Sequence, residues 1–155
     1  MGTVHRFDRG SLSLDVFGPE SVGRRSAAKL DTGMGRMLQV PGGTQALLRS
    51  EPQDIQSQGV QGQVPLPSLL AAGLLKSRAY FKRNNDLTRE ADLQDLAFVL
   101  GVAAETATPD QWLAEFAGQQ RNWLRKAAQP LLASRSAWTA AERPDRARRF
   151  LEVLL

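Results

Sequence analysis

The residues with the most chemistry to offer are two carboxylates, Asp92 and Asp95, spaced three apart in a helical stretch. That spacing puts both on one helix face, where a pair can move a proton or bind magnesium. No second acidic group, activated nucleophile or cofactor loop accompanies them. The chain has no cysteine, which excludes thiol nucleophiles, disulfides and cysteine-held zinc or iron–sulfur clusters. Its one histidine is His5, so a Ser-His-Asp relay would have to recruit it from the extreme amino end. Gly33-Met34-Gly35-Arg36 sits among Arg24, Arg25 and Lys29, yet lacks the spacing and the Gly-Lys-Ser/Thr ending of a phosphate loop. It reads as a loop. The expectation is a non-enzymatic protein with no cofactor and no metal.

Binding chemistry is better represented. Lys76, Arg78, Lys82, Arg83 and Arg89 form one basic group, interleaved with Tyr80 and Phe81 as stacking residues are in single-strand binders. Arg143, Arg146, Arg148 and Arg149 form another. With 20 basic and 16 acidic residues the formal net charge is +4, a weak bias that suits an acidic partner, nucleic acid or plain solubility. Trp112, Phe116 and Trp123 recur on one face of a helix starting at Thr108-Pro109-Asp110. They supply either core packing or an aromatic anchor for a partner. With Arg146 and Arg149 they make the expected partner-binding set.

The elements that position these residues divide near residue 65. Residues 1–65 are rich in glycine, proline and glutamine and read as a polar arm. Leu12-Ser13-Leu14-Asp15-Val16 alternates as a strand does, with Arg9-Gly10 as a turn before it and Gly18-Pro19 as its end. A short helix fits Gly43 to Arg49. Residues 66–155 read as a small helical domain of about four to five helices, so the fold class is mainly α with a long irregular arm that has room for a hairpin. Ser68 caps a helix to about Lys82, with Leu66, Leu70, Leu74, Ser77 and Phe81 along one side. The next begins at Asp86 or Thr88; Leu93, Leu96, Ala97, Leu100 and Ala104 form its core stripe, widened by Phe98 and Val99. The Thr108 helix runs on until Pro130 breaks or kinks it. Pro144 opens a last helix with Ala147, Phe150, Leu151 and Leu154 facing inward.

Within the central stretch, Leu93 to Trp112 contains Leu96-Ala97 and Leu100-Gly101-Val102, and it resembles helix-turn-helix DNA-binding proteins. The resemblance implies a turn at Gly101 and a recognition helix from about Ala103, with Glu105, Thr106 and Thr108 facing the DNA. Thr106 joins Lys76, Arg78, Lys82, Arg83 and Arg89 as the nucleic-acid-binding set of this alternative. Pro109 would interrupt that helix, and Ala103 to Thr108 holds no arginine, lysine, asparagine or glutamine to read bases.

The composition therefore points first to a regulatory or accessory protein of a bacterial or viral system, binding another protein through its arm and a helical face. The longest apolar run, Leu66 to Leu75, is too short and too interrupted to span a membrane. Asp8, Asp15 and Gly18 interrupt any signal-peptide core, and Arg6 stands where an acylation site needs serine or threonine. The expected location is the cytoplasm, with a specialised export route compatible with the polar arm.

Overall fold

The computed structural model describes residues 6–15, 17–19, 21, 38–57, 59–116 and 118–155. The chain opens with a hairpin, β1 (Arg6–Arg9) against β2 (Leu12–Asp15), turning at Gly10 where the sequence places a turn. The expected facing of Leu12, Leu14 and Val16, and the Gly33-Met34-Gly35-Arg36 loop with Arg24, Arg25 and Lys29, lie outside the described residues and side chains. β3 (Phe17–Pro19) pairs in parallel with β4 (Leu38–Val40), so Gly18-Pro19 lies within a strand instead of ending one. Helix α1 (Gly43–Leu48) follows as expected. Next come two eight-residue strands, β5 (Ser50–Ser57) and β6 (Val60–Pro67), forming an antiparallel hairpin about Gly59 at φ 82°. Residues 50–65 belong to the expected irregular arm, because glutamine, proline and glycine mask the alternation there. β6 runs across residue 65, where the composition changes.

The rest is helical. α2 (Leu69–Lys82) starts where the Ser68 hydroxyl accepts from the Ala71 amide at 3.3 Å. α3 (Asp86–Thr106) is capped by Asn85, whose side-chain oxygen accepts from the Leu87 amide at 2.9 Å. α4 (Pro109–Glu115) carries a full capping box between Thr108 and Gln111. α5 (Gly118–Ala133), a 3₁₀ turn at Ala137–Ala140 and α6 (Pro144–Leu154) complete the body. The fold is mainly α: a small helical domain follows a strand-containing amino-terminal region.

α3 is the central element, packing on α2, α5, α6 and the 3₁₀ turn. Its expected stripe is buried, with Leu96, Ala97 and Leu100 fully enclosed, and Val99 joins it. Phe98 does not, since it is 51% exposed on the opposite side. On α2, Leu70, Leu74 and Ser77 are buried, but Tyr80 takes the inner place expected for Phe81. The exchange has a polar cause: the Tyr80 hydroxyl accepts from the Arg89 guanidinium at 2.8 Å, and that guanidinium covers its ring. A tyrosine buried with its hydroxyl satisfied costs little. Pro130 does not end the helix: α5 runs through it to Ala133, and the missing N–H leaves the Lys126 carbonyl without its usual intrahelical donor.

Gly101 sits in mid-helix. A Cβ there would meet the Cβ of Ala141 at 3.4 Å, so the glycine marks the close approach of the 3₁₀ turn to α3. The helix continues through Val102 and Ala103 to Thr106, and the chain turns only at Ala107 and Thr108. This corrects the helix-turn-helix expectation for residues 93–112. The helix after the turn has seven residues and exposes Asp110 and Glu115, which repel phosphate.

Candidate functional site

The β5–β6 hairpin has the least internal support of any long element. Every residue from Glu51 to Pro67 whose side chain is described is exposed. Directly opposed residues share a face of an antiparallel pair. One face therefore gathers Glu51 with Leu66, Gln53 with Val64, Ile55 with Gly62, and Val60. The other holds Ser50 with Pro67, Pro52 with Pro65, Asp54 with Gln63, and Gln56 with Gln61. The second face is polar and satisfies itself in part, since the Gln63 amide donates to Asp54 at 2.8 Å. The first is an apolar stripe in water: Val60 is 72% exposed, Leu66 47%, Ile55 45% and Val64 37%.

The prolines say how this hairpin can be approached. Pro52 opposes Pro65 and neither has an N–H, so theirs is a non-hydrogen-bonded pair whose nitrogens point away from the ladder. By alternation Pro67 points outward too. The β6 edge thus lacks two donors near the base and the β5 edge one, which discourages an added strand. The apolar face, not an edge, is the open surface.

A polar clamp sets the hairpin's direction. The Ser68 amide donates to the Arg49 carbonyl at 2.8 Å and the Ser50 hydroxyl to the Ala46 carbonyl at 2.7 Å. Gln120, buried on α5, donates to Gln45 at 2.8 Å, and the Arg49 guanidinium donates to both glutamines. Helix α1, the hairpin base and α5 are tied at one point. Beside it opens a cleft of about 660 Å³, walled by Leu48, Leu69, Leu70, Trp112, Glu115 and Glu51. Glu51, paired with Leu66 on the apolar face of the hairpin, also lines the cleft, so the base of that face borders it.

The expected partner-binding residues are not together. Trp112 is a core residue, 4% exposed, packed edge-on against Phe150 at 5.3 Å and Phe116 at 6.2 Å, with one edge at the cleft. Phe116 is half-buried against the core. It adopts an extended backbone that closes α4, so Trp123 belongs to a different helix from Trp112. That overturns the single aromatic face expected from Thr108 onward. Trp123 is half-buried under the Arg78 guanidinium, 4.4 Å from its ring centroid. Arg146 and Arg149 are exposed on α6, while Arg148 covers the Trp138 ring.

The basic group of α2 and α3 is largely committed to the fold. Lys76 bridges Asp95 and Asp92, and Arg83 reaches Asp92 at 3.3 Å. Arg89 is held by Tyr80 and Asp86, and Arg78 by Trp123. Lys82 is exposed. The Thr106 hydroxyl donates to the Val102 carbonyl at 3.0 Å on the cleft rim. Asp92 and Asp95, the candidate acid–base pair, are both engaged by Lys76. Among the described residues no group of three metal-ligating side chains is placed to hold an ion, and no helix is long and apolar enough to cross a membrane.

Residues the sequence reading missed are Ile55, Val60, Val64, Gln45, Arg49 and Gln120. The period-two spacing of Val60, Val64 and Leu66 was a usable signal; the clamp had none. No family model, curated protein or solved structure matches the chain.

Proposed function

We propose that this chain is a non-enzymatic protein-binding module, in which the apolar hairpin face and its cleft receive a segment of another protein. One observation carries the proposal: a long two-stranded hairpin with a solvated apolar stripe, of a kind marginally stable alone in water. A third layer against that face supplies what the hairpin lacks. The charge pattern selects the occupant. The apolar face and the cleft carry Glu51 and Glu115, while the one cation among the described residues that line the cleft, Arg49, is bonded to Gln45 and Gln120. The complementary segment is apolar with cationic flanks. An accessory or regulatory subunit fits this behaviour.

Full burial of a valine, leucine or isoleucine side chain contributes about 1.5–3 kcal/mol. About half of that is still available at the four stripe residues, so roughly 4 kcal/mol can be gained before the cost of association. The test is retention of partners by the full chain against the double variant Ile55→Asp, Val64→Asp. A protein held in stoichiometric amount by the first, resistant to nuclease and lost from the second, is the expected result. Equal retention by a correctly folded double variant refutes the proposal.

A further inference from the structure

Four of the 20 basic residues, Arg121, Arg125, Lys126 and Arg135, lie between Phe116 and Ala141, a stretch with no aspartate or glutamate. The other 16 are balanced by the 16 acidic residues, so the whole formal net charge of +4 belongs to this stretch. Three of the four are on α5, and the structure turns them outward. Leu124, Ala127, Ala128 and Leu131 fill the buried side of that helix, leaving Gln119, Arg121, Asn122, Arg125, Lys126 and Gln129 exposed. Six other cations among the described residues meet acids or rings: Lys76 and Arg83 with Asp92, Arg89 with Asp86, Arg143 with Glu105, Arg78 and Arg148 with tryptophans; Lys82, Arg146 and Arg149 are exposed like those of α5, but each has an aspartate or glutamate within a few residues of it in the chain. Among the described residues no aspartate or glutamate pairs with Arg121, Arg125 or Lys126; Arg125 donates to the main-chain oxygen of Leu155, the last residue of the chain, at 3.1 Å.

We infer that the exposed face of α5 is a nucleic-acid-binding surface that contacts the phosphate backbone. The side-chain chemistry selects this polyanion over the alternatives. A protein interface is anchored by buried aromatic or aliphatic groups, and a membrane-surface helix needs an apolar face in the lipid. The exposed α5 face offers neither. It offers cations and amides, the groups that bond phosphates and base edges. Arg121 and Arg125, four apart, stand one above the other on the helix. Lys126 and Asn122 form a parallel row. This surface is independent of the hairpin face and of residues 93–112.

The test is fluorescence anisotropy of the full chain with a labelled 20-base-pair DNA duplex and with the matching single-stranded RNA. Three neutralised phosphates on duplex DNA give a log–log salt slope of about −2.7, a loss of about 40-fold between 50 and 200 mM salt. We expect binding at 50 mM salt to at least one probe, with a slope near that value on the duplex or a shallower one on the single strand. Arg121→Glu, Arg125→Glu, Lys126→Glu should weaken it more than tenfold, and Arg146→Glu, Arg149→Glu much less. The milder set Arg121→Gln, Arg125→Gln, Lys126→Gln keeps the test decisive should charge reversal disturb folding. Absence of binding at 50 mM salt overturns the inference. So does equal binding by the glutamine set, or tighter binding to phosphatidylserine vesicles or poly-glutamate than to either nucleic acid.

Discussion

Replacing Gly73 separates close packing from simple helix weakness. An ideal Cβ at this position would lie 3.4 Å from Cη2 and 3.5 Å from Cζ3 of Trp112, and 3.7 Å from Cγ1 of Val99. A methyl group therefore just touches the indole. Alanine gains about 1 kcal/mol of helix propensity over glycine, so Gly73→Ala should be neutral or up to about 1 kcal/mol more stable. Valine adds two γ-carbons, and at least one must enter space held by the indole or Val99. Overpacking of this kind costs about 1–3 kcal/mol, offset by a few tenths from propensity. At this chain length that is a fall of about 3–9 °C in Tm. Thermal melts followed by circular dichroism, with tryptophan emission recorded alongside, give the comparison. Because the Trp112 edge borders the cleft, Gly73→Val should also weaken partner retention. If valine melts with the native chain, or alanine loses several kcal/mol, the contact between Gly73 and Trp112 does not have the tightness described.

Two further substitutions test the frame around the site. Asp92→Asn removes the buried charge that Lys76 and Arg83 share; both cations are partly exposed and can rehydrate, so the loss should be about 1 kcal/mol by urea unfolding, well short of a fully buried pair. Thr108→Ala removes the hydroxyl of the α4 capping box and should cost about 1 kcal/mol, with amide exchange quickening first at Gln111. The paired change Ile55→Asp, Val64→Asp should leave the melting temperature within about 2 °C of the native chain, because both side chains are already well hydrated.

Much of the helical body was legible in the residues. Ser68, Asp86 and Thr108-Pro109 mark helix starts by local chemistry, and those starts hold in the structure. The stripe Leu93, Leu96, Ala97, Leu100 and Ala104 names the buried side of α3 because a helix repeats every 3.6 residues. The errors fall where periodicity is silent. Phe81 and Tyr80 are adjacent and similarly apolar, and only the Arg89 partner decides which turns inward. Gly101 looks like a turn residue, yet it is a contact: the approach of Ala141, forty residues away, is absent from any local window.

What the sequence determined by itself is therefore the local and the summed: caps, helix stripes, the lack of cysteine, and the net charge. Tertiary structure decided which face of each element meets water. It put Ile55, Val60, Val64 and Leu66 on one exposed side, because pairing β5 with β6 combines two weak alternations into one stripe. It buried Trp112 and separated it from Trp123 by ending α4 at Phe116. It paired Lys76, Arg83 and Arg89 with Asp92, Asp95 and Asp86, and left Lys82 and the cations of α5 in solvent. The physical reason is the same throughout. Exposure and pairing depend on residues distant in the chain, whereas propensity and charge are properties of the residues themselves.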